Sequence, residues 1–164
     1  MFHAVSPAVP GEATERVRAL AEAEGWALTV VDAGEFADPT YRANPVNRCY
    51  FCKTSLYGTI RPLTQARILS GANTDDLGDH RPGLTAAHEA KVISPLVEAR
   101  LDKADVRLIA RALNLPNWDK PAAACLSSRV PYGTQVTEDL LKRIELAEEF
   151  LHSLGFHELR ARHH

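Results

Sequence analysis

Three cysteines carry the most chemistry in this 164-residue sequence, Cys49 and Cys52 in the run Asn47-Arg48-Cys49-Tyr50-Phe51-Cys52-Lys53, and Cys125 further on. A Cys-x-x-Cys spacing lets two thiols point at one metal or cluster. The same pair suits a thioredoxin-like redox couple, half a zinc site or two buried thiols. No second Cys-x-x-Cys and no His-rich partner accompanies it, which argues against a four-ligand structural zinc site. Cys125 is the one thiol that can join the pair. Three cysteines with one open position suit a 4Fe-4S cluster whose fourth iron takes an external ligand. Ser127-Ser128-Arg129 follow closely, and a cation beside Cys125 favours the nucleophilic thiolate. The plainer reading of Arg129 is a charge that solvates its loop.

A second group lies in Ser70-Gly71-Ala72-Asn73-Thr74-Asp75-Asp76, where small residues let backbone approach a ligand and carboxylates gather, with Asp79 close behind. His80-Arg81-Pro82-Gly83 adds a cation and what reads as a second tight turn. Such a loop accepts a nucleotide or a divalent ion, although Gly, Asn and Asp also make an ordinary solvated turn. Arg160 and Arg162 stand two apart on an expected strand, so both would face one way and clamp a phosphate. His163 and His164 either extend that face or are a tag remnant.

The elements that must position these groups follow from pattern. His3-Ala4-Val5 reads as a strand ending at a Pro-rich loop, and Glu12 to Glu24 as a helix with Val17, Leu20, Ala21 and Ala23 on one stripe and Gly25 as its stop. Trp26 to Val31 is a second, nearly all-apolar strand. Strand, helix, strand in this order predicts a βαβ unit and an α/β fold. A helix is expected from about Cys49 toward Gln65, and short strands over 67–73 and 92–96. Another helix spans Asp102 to Leu113, with Val106, Ile109 and Leu113 on one side. Residues 117–133 read as a loop with Cys125 in its middle. Thr137-Glu138-Asp139 caps a helix through Leu140, Ile144, Ala147 and Leu151, closed by Gly155, and a strand is expected from Phe156 to Arg162.

Composition sets the limits. Apolar residues make up 45% and charged residues 24%, which is globular. The net charge of -2, from 19 basic and 21 acidic residues, gives no field for a nucleic acid. No run approaches the roughly 18 apolar residues of a membrane span, and no charged leader opens the chain. The odd cysteine count fits a disulfide framework poorly, and the default expectation is a cytoplasmic protein.

Taken in order, Asn44-Pro45 through Lys53, Ser70 through Gly83, Trp118 through Gly133 and Glu145 through His164 resemble the ATP-dependent sacrificial sulfur transferases that build the nickel-pincer cofactor of lactate racemase. The most specific pieces are Arg-Cys-Tyr-Phe-Cys-Lys, Gly-Ala-Asn-x-Asp-Asp-x-x-Asp-x-Arg-Pro-Gly, and Pro-Ala-x-Ala-Cys-Leu-Ser-Ser-Arg with Pro-Tyr-Gly behind it. The resemblance implies a Rossmann-like PP-loop domain. It also implies adenylylation, with ATP and Mg, of a carboxylate on a nicotinic acid mononucleotide derivative, followed by exchange of AMP for sulfur. Sulfur in this family comes either from a sacrificial cysteine at the Cys125 position or from a 4Fe-4S cluster on three cysteines, and Cys49, Cys52 and Cys125 together favour the cluster. By resemblance Gly71, Asn73, Asp76, Arg81 and Arg129 belong to the nucleotide site, and Arg160 and Arg162 to the substrate phosphate. Glu148, or Glu145 beside it, falls near the metal-binding carboxylate. A homo-oligomer is implied for the full-length form.

The departure from the family is equally specific. The PP-loop itself, Ser-Gly-Gly-x-Asp-Ser, is absent from these residues. The resemblance thus predicts an N-terminally truncated PP-loop domain over 1–116, a cysteine-bearing linker over 117–136 and the beginning of a C-terminal α+β domain over 137–164. Such a chain is expected not to use ATP unaided. Two rival readings differ in class. One is a non-catalytic iron-sulfur or metal-binding module. The other is a related PP-loop enzyme, a tRNA thiolase or an NAD synthetase-like amidotransferase; the near-neutral charge opposes the first of these, and the three cysteines the second.

Overall fold

A computed structural model describes residues 1–78 and 81–164 of the chain; Asp79 and His80, placed in the acidic loop from sequence, lie outside the described residues. The βαβ expectation holds. Strand β1 (Phe2–Val5) pairs in parallel with β2 (Thr29–Asp32), from Phe2 opposite Thr29 to Val5 opposite Asp32, and helix α1 (Gly11–Ala23) makes the crossover. Gly25 ends α1 at φ +67°, a left-handed turn that glycine adopts without a Cβ clash. Trp26 to Leu28 stay outside β2, which begins at Thr29.

Two short segments follow, a 3₁₀ turn at Glu35–Ala37 and helix α2 (Pro39–Arg42), the latter capped by the Asp38 carboxylate accepting from Thr40 N–H at 2.8 Å. Helix α3 (Arg48–Ile60) carries both early cysteines. Its main neighbour is α4 (Pro82–Glu89), and here the structure corrects the sequence reading. Pro82-Gly83 is not a tight turn but the first turn of α4, with proline where its missing N–H goes unneeded. Gly83 serves close packing, since a Cβ there would stand 3.1 Å from Lys53 Cγ and 3.5 Å from the Cys49 carbonyl oxygen.

The strands expected at 67–73 and 92–96 shrink to one parallel bridge between Leu69 and Ile93, after which α5 (Pro95–Glu98) starts. Among the described residues this bridge is separate from the β1-β2 sheet. The fold is mixed α/β with a small two-stranded parallel sheet. A strand is stable only with paired neighbours, and Leu69, 61% exposed, has a partner for a single residue. Helix α6 (Lys103–Ala112) begins with a capping box in which Asp102 and Asp105 each accept the other's backbone N–H. Its apolar side is not buried: Leu108, Ile109 and Leu113 are exposed.

The core joins the two ends of the chain. Ala8 packs with Leu126 and Val130 from the cysteine loop, with Val136, and with Leu140, Leu141 and Ile144 from α7 (Glu138–Ser153). Thr137 caps α7 as expected, its hydroxyl accepting from Leu140 N–H at 3.2 Å. The strand predicted for 156–162 does not form. That segment is tied by side-chain and single backbone contacts, His163 N–H donating to the Arg129 carbonyl at 3.0 Å and Ala161 N–H to Glu148 at 3.0 Å. No helix among the described residues is long and apolar enough to cross a membrane.

Candidate functional site: three thiols beside an arginine-lined cleft

Cys49 and Cys52 sit in the first turns of α3, and Cys125 immediately precedes the 3₁₀ turn Leu126–Arg129. Cys49 and Cys125 are exposed, while Cys52 is partly buried. Burial pushes the Cys52 thiol up to about 12, helped by the nearby charges of Glu35, Cys125 and Cys49 and opposed by Lys53. A low thiol pKa, the mark of a reactive redox cysteine, is therefore absent at Cys52. The thiols thus come from two elements, Cys49 and Cys52 from α3 and Cys125 from the loop before the 3₁₀ turn. Among the described residues no three His, Cys, Asp or Glu side chains converge to hold a metal ion.

Iodoacetamide at neutral pH is expected to label Cys49 and Cys125 and to spare Cys52, read by mass spectrometry of peptides. A thiol moved from 9.0 to about 12 reacts on the order of 10³-fold more slowly at a given pH, since only thiolate attacks. The same shift has a stability sign. Unfolding returns Cys52 to its ordinary pKa of 9.0, so its contribution is complete below that pH and is lost as pH rises toward about 12.

Arg129 does not merely solvate its loop. It is 7% exposed, and its Nε and Nη2 bond the two carboxylate oxygens of Glu148 at 2.9 and 3.0 Å. Its Nη1 donates to the carbonyls of Ala124 at 2.5 Å and Cys125 at 2.9 Å. Glu148 Oε1 also accepts from Ala161 N–H. One buried ion pair thus holds the backbone of Cys125 on one side and the Arg160 to Arg162 segment on the other. Both Glu148 oxygens are occupied, so binding a metal there would first require release of Arg129. Glu145 points elsewhere: Gly11 N–H donates to it at 2.7 Å and Lys142 at 3.0 Å.

The cysteine loop is held from the opposite side by Asn44, fully buried at φ +57°. Its Nδ2 donates to the carbonyls of Pro131 at 2.7 Å and Thr134 at 3.0 Å, with Val130 at 3.4 Å, and its Oδ1 accepts from Arg48. Tyr41, also buried, places its hydroxyl 2.8 Å from Ser127 Oγ.

Between these clamps lies a cleft of about 350 Å³ lined by Arg48, Ser128, Arg129, Tyr132, Arg162 and the terminal histidines. Arg48 has no carboxylate partner among the described residues, and its guanidinium lies 5.7 Å from the Tyr132 ring centre. The cleft is therefore cationic and suited to a phosphate. Sequence reasoning passed over Arg48 although it adjoins Cys49; an arginine next to the Cys-x-x-Cys pair was the available signal. Arg160 does not join Arg162 here, but reaches the Ala122 carbonyl at 3.4 Å. A larger hollow of about 510 Å³ between the loop after β1 and α7 is lined by Glu138, Asp139, Glu145 and Glu149 around Lys142, and would repel an anion.

The described residues between Ser70 and Arg81 are tied to one another. Asp76 accepts from Asn73 N–H at 3.0 Å and pairs with Arg81 at 2.8 Å, and Asn73 Oδ1 accepts from Asp75 N–H at 3.1 Å. A Cβ on Gly71 would meet nothing within 4 Å, so this glycine leaves an open backbone surface.

No protein-family model matches the chain. It is 47% identical over 163 residues to an uncharacterised protein of Synechocystis, covering 97% of this chain and 61% of that one. It is 36% identical over 157 residues to the pyridinium-3,5-bisthiocarboxylic acid mononucleotide synthase of Lactiplantibacillus plantarum, covering 93% of this chain and 57% of the synthase. An uncharacterised protein of Methanocaldococcus jannaschii is 33% identical over 112 residues, covering 66% of this chain and 44% of that relative. The chain spans about six tenths of the length of the first two relatives. The second of these relatives is named as a synthase of a bisthiocarboxylic acid mononucleotide.

Proposed function

We propose that these residues form the sulfur-delivering and phosphate-holding part of an ATP-dependent sulfur transferase acting on a nicotinic acid mononucleotide-type carboxylate in nickel-pincer cofactor biosynthesis. In that chemistry a carboxylate oxygen attacks the α-phosphorus of ATP and pyrophosphate leaves. Sulfur then attacks the acyl carbon, AMP leaves, and a thiocarboxylate remains. The observation that carries the reading is the buried Arg129-Glu148 pair, which ties the backbone of Cys125 to the segment bearing Arg162 and so sets a thiol beside a cationic cleft. A cluster on the three cysteines would supply transferable sulfide. The chain's own part is to hold three thiols around one space, to fix the Cys125 turn, and to seat a phosphate with Arg162 and Arg48. Gly71, Asn73, Asp76 and Arg81 are assigned to the adenine nucleotide side, with Mg accompanying ATP.

Nicotinic acid mononucleotide is expected to bind the chain, with affinity falling about tenfold or more on Arg162→Ala, as a lost charge-assisted phosphate contact is worth about 1.5–3 kcal/mol. Isothermal titration calorimetry reads this. Nicotinic acid riboside, which lacks the phosphate, should bind wild type and variant alike. Equal binding of the mononucleotide by both proteins would remove the phosphate role from the cleft.

A further inference from the structure

Tyr132 keeps a large ring in water, 62% exposed, on a segment that is firmly mounted. Pro131 to Thr134 form a type II turn. Thr134 N–H donates to the Pro131 carbonyl at 3.1 Å, and Gly133, third in the turn, has the φ of +83° that this geometry favours in glycine. The fully buried Asn44 grips the turn three times, its Nδ2 on the carbonyls of Pro131 and Thr134 and its own carbonyl accepting from Gly133 N–H at 2.9 Å. Val130, just before the turn, belongs to the core. Tyr132 also has a fixed neighbour: Arg48, 4% exposed, donates to Asn44 Oδ1 and sets its guanidinium 5.7 Å from the ring centre. A planar cation over one face of the ring leaves the other face for a second planar group. The cleft that Tyr132 and Arg48 line also holds Arg129 and Arg162. Cations and an uncovered ring in one cleft of about 350 Å³ match a small ligand that carries both a phosphate and a flat ring.

We propose that Tyr132 is the residue by which this cleft selects its ligand's ring: the pyridinium ring of the mononucleotide lies against the open face of Tyr132 while the phosphate meets Arg162. The proposal rests on the phosphate-holding reading above. An electron-poor pyridinium cation is drawn to the negative face of a phenol ring. A tyrosine has two rotatable bonds, and on a turn fixed by Asn44 it has little freedom left to lose on binding. A sugar phosphate without a ring gains the ionic contacts alone. The ring contact therefore sets the preference for a mononucleotide over other small phosphates.

The full chain, Tyr132→Leu and Tyr132→Phe are titrated by calorimetry with nicotinic acid mononucleotide and with ribose 5-phosphate, its counterpart without the ring. Wild type should bind the mononucleotide about tenfold more tightly, the usual effect of one stacked ring. Tyr132→Leu, which keeps apolar bulk beside Arg48, should bind the two ligands alike, with ribose 5-phosphate held as in wild type. Tyr132→Phe should keep the tenfold preference. Proton NMR gives a spectroscopic signature: the pyridinium protons of the mononucleotide should move upfield on binding wild type, under the tyrosine ring current, and not on binding Tyr132→Leu. Equal affinity of wild type for the two ligands, a preference that survives in Tyr132→Leu, or an equal loss of both ligands in that variant overturns the role of Tyr132 and leaves the phosphate site standing. A wild type that binds neither ligand overturns the phosphate reading and this proposal with it.

Discussion

Replacing Glu148 with alanine is expected to lower the stability of the chain by about 3–5 kcal/mol, measured by urea unfolding. The pair it forms with Arg129 has both side chains almost wholly out of water, at 7% and 10% exposure. Removing one partner leaves a buried guanidinium with no counter-charge, which is far costlier than losing a surface ion pair. Ala161 N–H loses its acceptor as well. The double replacement Arg129→Met with Glu148→Leu should recover most of the lost stability, since apolar residues of similar volume can replace a buried pair at little cost. In that double variant the Ala124 carbonyl loses the Arg129 donor and the Cys125 carbonyl keeps the Ser128 N–H. If Glu148→Gln leaves stability unchanged but weakens metal binding, the carboxylate is a metal ligand and the clamp is misassigned.

Asn44→Ala should cost about 3 kcal/mol. The amide holds the Pro131 and Thr134 carbonyls and accepts from the buried Arg48, so truncation leaves several buried polar groups without partners. Its backbone at φ +57° adds a penalty of about 1 kcal/mol for a residue such as alanine that lacks asparagine's tolerance of the left-handed region. Asn44→Gly separates the two contributions. Glycine relieves the backbone and restores none of the hydrogen bonds, so it should recover about 1 kcal/mol relative to alanine. Equal stability of the two variants would show that the amide network, rather than the backbone, accounts for the whole effect.

What could be read beforehand was what short-range chemistry determines. Pro10 and Gly25 bracket α1, Asp102 opens α6, and Thr137 with Gly155 bounds α7, each through a local cap or turn. The parallel β1-β2 pair followed from apolar pattern and crossover length. The strands expected at 67–73, 92–96 and 156–162 were wrong because an apolar or alternating run becomes a strand only beside a partner, which sequence pattern does not supply. Pro82-Gly83 misled for a related reason: the same dipeptide opens a helix or makes a turn, and packing on Cys49 decides between them.

The site divides in the same way. The cysteines, Arg129 and Arg162 were singled out by type and spacing. Tyr41, Asn44 and Arg48 gain their importance from burial against segments far along the chain, which no local window contains. The choice between Glu145 and Glu148 on α7 also needed coordinates. One caps the N-terminus of α1 and the other is drawn inward by Arg129. Arg160 and Arg162 were expected side by side on a strand, and the irregular backbone there sends only Arg162 into the cleft.

The central claim is that Cys49, Cys52 and Cys125 act together. Iron and acid-labile sulfide, measured with the visible spectrum after anaerobic reconstitution of the chain and of its three single Cys→Ala variants, test it most directly. About four irons per chain in the wild type, lost in every variant, is the predicted result. No iron in the wild type, or a Cys125→Ala variant that loads as fully as the wild type, would contradict it and leave Cys125 outside any shared site.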